Sequence, residues 1–459
     1  MTPDTDRARA ASARDEAVER WSSMAVSSSL IDSELYTRYG VKRGLRHESG
    51  KGVLAGLTAI GDVVGSAPDG DEYVPIPGEL FYRGIEINEL VNGFLGDGRL
   101  GFEETAYLVL FGELPDASEL ALFHDVLATR RELPRHFVHD AILRLPSRDL
   151  MNGLARAVLA LYTRDPDPEN ASIPAVLDQS LNLISAFPVL AVYTYQAHAS
   201  QFLDSSMVIH KPRKDLSTAE NILHMLRTDS HFTELEARVL DLSLVLHAEH
   251  GGGNNSSFTA HVVSSSGTDT YATVAASLAS LKGPKHGGAN IKMVRMFDDV
   301  RATVRDWNDD DEIESYLLKV LAKEAFDRSG LIYGMGHPVY SVSDPRTIIL
   351  REYARDLAEA KGLADEYQLL TSVERVAPAA IAKARRVYKG VSANVDFYSG
   401  YIYRMLDIPE ELYTPLFACS RVVGWCAHRI EELANGGKII RPAYKSVATR
   451  RPYLPVDER

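Results

Sequence analysis

Along most of this chain apolar residues recur at steps of three and four, the interval that gathers them on one face of a helix. The pattern predicts helices over 87–95, 102–111, 117–133, 137–145, 151–162 and 175–201. It resumes over 218–226, 232–247, 271–281, 291–300, 312–325, 347–360, 365–389 and 415–433. Most of these runs close on Gly, Pro or a polar cluster, as at Gly112-Glu113-Leu114-Pro115. Thr218 reads as an N-cap, and residues 6–24 as a surface helix. Only 53–64 and 73–82 have a strand character, broken by Gly61, Pro75, Pro77 and Gly78. With no run of alternating strands and helices and no internal repeat, the expected class is all-α, or mainly α, built from many medium helices.

The chain's 459 residues are more than one ordinary core accommodates, so two or three lobes are expected. A net charge of −13 argues against nucleic acid or an anionic membrane as the main partner, while leaving room for small anions at a local basic cluster. The most apolar stretch, 181–199, contains Asn182, Ser185, Pro188, Tyr193 and Gln196, and reads as a buried, Pro-kinked helix rather than a membrane span. The N-terminal stretch has charges of both signs and no apolar centre, unlike a secretory signal. Cys419 and Cys426 fall on one predicted helix, roughly 10 Å apart along its axis, too far for a disulfide. Reduced thiols and a cytoplasmic location are expected.

Five places hold polar residues that a helical core does not need. In Leu281-Lys282-Gly283-Pro284-Lys285-His286-Gly287-Gly288, Gly and Pro end one helix and another begins soon after. His286 is thereby set at a turn ahead of unpaired helix N–H groups, whose dipole keeps an imidazole neutral. In His247-Ala248-Glu249-His250, followed by three glycines, two histidines share a helix face. Such a pair can hold zinc with further ligands from His261, His286 or His428, but no recognised metal pattern is completed and no metal is expected. His337 lies between Gly336 and Pro338, ahead of Asp344-Pro345-Arg346, where Asp344 caps the next helix. Asp396 is bracketed by Val395, Phe397 and Tyr398, which makes it either a helix cap or a partly desolvated base. Arg421 stands among Leu416, Phe417, Val422, Val423 and Trp425; it either snorkels or is buried and needs an anion. Arg441 follows in a loop after Gly436-Gly437.

Taken in order, these segments resemble the citrate synthase family, joined upstream by Tyr82-Arg83-Gly84 and Glu103-Glu104-Thr105-Ala106-Tyr107-Leu108. The resemblance runs over most of the chain. It implies two helical domains, a large one of 1–286 and 408–459 and a small one of 287–407 that closes over the substrate. It implies condensation of acetyl-CoA with oxaloacetate and water to give citrate and CoA, or, as the alternative within the same fold, the 2-methylcitrate reaction with propionyl-CoA. By the same resemblance His286, His337 and Asp396 are catalytic, and His250, Arg346 and Arg421 hold oxaloacetate. Arg441 would be lent by a neighbouring subunit, so a homodimer or larger even assembly is expected. Acetyl-CoA is then a co-substrate and no cofactor is needed. Pro338 replaces a basic residue common in the family, and 146–151 departs from its usual His-Pro-Met segment. Lys282, Lys285, Lys292 and Arg295 form a basic cluster that would meet CoA phosphates or simply face solvent.

Overall fold

The structure is a computed structural model; it describes residues 3–47, 51–70, 72–385 and 390–458. Helices dominate, with one small antiparallel sheet among the described residues. The chain divides into two compact units, 1–56 and 57–459. In the first, helix Pro3–Ser29 is followed by helix Ser33–Arg38, capped by Asp32, and a turn around Gly44. The Arg43 guanidinium lies 4.5 Å from the Tyr36 ring centroid, a cation–π contact at the surface.

The second unit opens on strands Gly61–Asp69, Glu72–Tyr82 and Ile85–Glu86. Gly61 pairs with Tyr82 and Val64 with Glu79, after which the register shifts before Ser66. The pattern located the second strand and displaced the first, which lies at 61–69 rather than 53–64. Glycine matters here because backbone approaches backbone. The Gly78 N–H donates to Ser343 O over 3.1 Å, and a Cβ on Gly65 would sit 2.5 Å from Val339 O. The sheet thus backs directly onto the segment that carries His337.

Helix bounds follow the apolar period closely: Phe102–Phe111, Leu150–Tyr162, Glu234–His247, Thr270–Leu281, Pro345–Ala360 and Tyr413–Ala434. Helix Ala364–Arg385 is observed to Arg385, and the rest of the expected 365–389 run lies outside the described residues. Where the structure differs, local chemistry explains it. Ser217, not Thr218, caps helix Thr218–Leu226, because it completes a capping box with Glu220. The 137–145 run narrows to a π-helical segment, Val138–Leu143. Helix Asn255–Ser264 had no periodic signal, since its buried face is built of Ser256, Ser257, Ala260 and Ser264. Helix Ile173–Phe202 keeps Pro188 within it; it is long and apolar enough to cross a membrane, but most of it is buried in the core. It packs against Tyr413–Ala434, which is buried from Tyr413 to Arg429. Both cysteines are buried and unpaired on that helix.

Candidate active site

Helix Glu234–His247 ends at a tight turn that presents His250. Tyr82 pins this turn, its hydroxyl lying 3.1 Å from Val245 O and 3.0 Å from Glu249 O. His250 is buried, and its Nε2 has no hydrogen-bond partner in the protein. Burial, and then the nearby Arg346, His337, Arg421 and His286, hold it well below the usual imidazole range, so the ring is neutral. The His250 and His337 rings meet edge to face at 5.0 Å, and His337 stacks on Tyr340 at 4.8 Å.

His337 has a defined tautomer. Its Nδ1 accepts from the N–H groups of Val339 and Tyr340, each at 3.1 Å, which leaves the ring hydrogen on Nε2. His286 sits three residues before helix Ala289–Thr303, in the expected turn. It is lowered to about 4, by burial and then by Arg421. The helix dipole invoked from the sequence is therefore not the main cause. Ser256 Oγ lies 3.1 Å from His286 Nε2, accepts from Trp425 Nε1 at 3.0 Å and is 2.9 Å from Asn254 Oδ1.

Asp396 lies in the first turn of helix Val395–Met405. Its neighbour Asn394 is the cap, donating its place to the helix by accepting from the Asp396 N–H at 3.0 Å. The reading of Asp396 itself as a cap is thereby corrected. Its Oδ1 is buried without a partner, and burial pushes the carboxyl up to about 7; Arg346 and Arg421 oppose the shift and Asp344 adds to it.

Two guanidinium groups face these residues and differ sharply. Arg346 is paired twice with Asp344, through Nε at 3.0 Å and Nη2 at 2.7 Å; burial works against its charge, but this carboxylate raises it overall. Asp344 thus holds an arginine as well as capping the helix, where it accepts from the Arg346 N–H at 3.1 Å. Arg421 is fully buried, which excludes snorkelling. Its Nε donates to His247 O at 2.6 Å, while Nη1 and Nη2 have no partner. Burial lowers it to about 10, so it stays a cation near neutral pH. Glu249 is the charge that most offsets this, but that carboxylate is already engaged with His428 Nε2 at 3.0 Å.

The structure therefore gathers His250, His286, His337, Arg346, Arg421 and Asp396 into one electrostatically coupled cluster. It does not bring Arg441 there: that residue is exposed in the irregular tail after helix Tyr413–Ala434. His247 is buried beside them, with Nδ1 2.7 Å from Ser243 O and its ring 4.4 Å from Phe417; burial and then Arg346 and Arg421 lower it as well. Ser256, Asn254, Tyr82 and Asn290, whose buried amide has no partner, were assigned no role from the sequence. Asn254 and Ser256 carried a signal as polar residues shortly after three glycines, and Tyr82 as part of a segment that bears the resemblance. Most of the basic cluster is paired: Lys282 with Asp149 at 3.1 Å, Lys292 with Asp327 at 3.1 Å, Arg295 with Glu410 at 2.8 Å.

An arrangement of two unpaired guanidinium nitrogens, a neutral unpaired imidazole and a raised carboxyl suits a small dianion and removal of a weakly acidic proton beside it. Comparisons with known proteins agree. The family model described as citrate synthase, C-terminal domain, matches residues 46–443. The chain is 34% identical to a citrate synthase of Synechocystis sp. over 83% of its own length and 88% of the relative's. It is 30% identical to a 2-methylcitrate synthase of Shewanella oneidensis, covering 89% and 97%. A solved ternary complex of carboxymethyl coenzyme A and oxaloacetate with citrate synthase from Thermoplasma acidophilum superposes with a TM-score of 0.72 at 26% identity, covering 89% and 97%.

Proposed function

This chain belongs to the citrate synthase family, and from that premise we infer that it condenses acetyl-CoA with oxaloacetate and water to give citrate and CoA. Asp396 takes a proton from the acetyl methyl group. A thioester α-proton is very weakly acidic, so the base must be dry and the forming enolate must be met by a donor at once. His286 is that donor: its neutral ring offers one N–H, and Ser256 Oγ, 3.1 Å from its Nε2, helps to hold the ring in place. The enol carbon then attacks the ketone carbon of oxaloacetate. His337 donates from Nε2 to the ketone oxygen as it gains charge, and water afterwards cleaves the citryl thioester to release CoA.

Arg421, His250 and the free edge of Arg346 hold the two carboxylates. The observation that carries this reading is Arg421: a fully buried cation with two unpartnered nitrogens is costly unless an anion completes it. Segment 287–407 acts as a small domain that closes over oxaloacetate, in keeping with helices Ala289–Thr303, Asp310–Leu321, Pro345–Ala360, Ala364–Arg385 and Val395–Met405 packing largely on one another. Arg441 reaches the site of a second copy, which makes the working enzyme a homodimer or a larger even assembly in the cytoplasm.

The test is release of free thiol from acetyl-CoA and from propionyl-CoA, each with oxaloacetate. The reading expects acetyl-CoA to give the higher kcat/KM. A preference for propionyl-CoA would move the assignment to the 2-methylcitrate reaction, and silence with both would end it.

A further inference from the structure

Helices Asn255–Ser264 and Tyr413–Ala434 pack against each other, and where they meet lies a second polar cluster. His261 comes from the first helix, His428, Glu431 and Glu432 from the second. Each imidazole turns one nitrogen outward to a carboxylate: His261 Nδ1 lies 2.8 Å from Glu432 Oε2, and His428 Nε2 lies 3.0 Å from Glu249 Oε1. A carboxylate only accepts, so each outer nitrogen carries the ring's hydrogen. The inner nitrogens, His261 Nε2 and His428 Nδ1, face each other across 3.0 Å in a hydrogen bond, whose proton a metal would displace to use both as ligands. Glu431 adds a third donor. Its Oε1 accepts from the Ala59 N–H at 2.8 Å, while its buried Oε2 makes no hydrogen bond and lies 3.7 Å from His428 Nδ1.

We propose that His261, His428 and Glu431 form a binding site for a divalent transition-metal ion of the zinc type. The three ligand atoms lie within 4.8 Å of one another. Ligands about 2.0–2.1 Å from a tetrahedral zinc stand about 3.3 Å apart, a spacing that the 3.0 and 3.7 Å separations bracket. The outward carboxylates supply what metal-bound histidines require, a partner on the other nitrogen that sets tautomer and ring orientation. Gly252 borders the gap: a Cβ there would lie in ordinary contact, 3.5 Å from both His261 Nε2 and His428 Cε1. Thr58 and Ala59, whose N–H bonds Glu431, line a cavity of about 520 Å³.

Bound metal ties the two helices to the 58–59 segment and raises thermal stability by binding only the folded state. None of its three ligands takes part in the proposed condensation, so the two readings fail separately. A proton shared between the inner nitrogens is the competing occupant. Chelator-treated full-length protein is titrated with Zn²⁺ by calorimetry and with Co²⁺ by visible absorption, alongside His261→Ala, Glu431→Gln and His210→Ala. His210 and His224, whose rings lie 5.7 Å apart, are the control for casual binding by a histidine pair.

One ion per chain is expected, with the intense visible bands of four-coordinate cobalt and a higher melting temperature in zinc. His261→Ala and Glu431→Gln should each weaken Zn²⁺ binding at least about tenfold, and His210→Ala should not. His261 is partly exposed, so its variant is expected to melt as the metal-free wild type does. Absence of stoichiometric binding would assign the gap to a proton. Binding that survives His261→Ala and Glu431→Gln, or that follows His210, would overturn the site.

Discussion

Asp396 is the residue whose environment does most to define its role. Its carboxyl is raised from the ordinary value of 3.8 to about 7 by burial, with Arg346 and Arg421 opposing. The proposed base must be ionised to act, so kcat/KM for the acyl thioester should rise with pH up to about 7 and level off above it, falling about tenfold per unit on the acid side. The same shift has a cost in stability. A carboxyl raised on folding favours the native state only while protonated, so its penalty is absent below about pH 4 and complete above about pH 7. About three units correspond to about 4 kcal/mol. Asp396→Asn should therefore unfold at higher denaturant concentration than wild type at pH 8, and the difference should shrink at pH 5. Arg421 gives a complementary case. Arg421→Met should raise the KM for oxaloacetate about 100-fold or more without loss of stability in substrate-free protein, because Glu249 keeps His428 as its partner. A large drop in stability would mean that the guanidinium serves the fold instead.

What was legible in the sequence differs at this scale and the next. His286, His337 and Arg421 stood out because glycines or an apolar helix face offered no structural reason for them. Ser256 did not, because a serine near glycines is ordinary until the Trp425 ring N–H and the His286 ring converge on its hydroxyl. Asp344 was legible only as a cap; its pairing with Arg346 depends on side-chain rotamers that no spacing rule encodes.

Among the elements, the apolar period marked the helices well, and the errors fall where polar or small residues take over. Helix Asn255–Ser264 was missed for that reason, although it carries Ser256. The sheet illustrates a further limit: its importance lies in contacts made by atoms a glycine lacks. Gly78→Ala would press a methyl against Ser343 O and Tyr340 Cδ1, the latter 2.5 Å away. That change should displace the segment carrying His337 and cut kcat by about 10-fold or more, since misplacing a reacting group by about 1 Å costs up to 100-fold. Unchanged kcat in a folded Gly78→Ala protein would show that the sheet does not position this loop.

For the whole molecule, the account rests on one water-poor cluster fed by three distant parts of the chain: the 247–256 turn, the 286–346 segment and the two helices that carry Asp396 and Arg421. Oxaloacetate should protect segment 287–407 from hydrogen exchange more than it protects the helix Ile173–Phe202 at the core, and equal protection would argue against closure. The cluster itself is tested most directly by Asp396→Asn, with turnover and oxaloacetate affinity measured on the same preparation. Turnover should fall about 1,000-fold or more while the Kd for oxaloacetate stays within about threefold of wild type. Turnover that persists near the wild-type rate would contradict the assignment of Asp396 as the base, and with it the chemistry placed at this site.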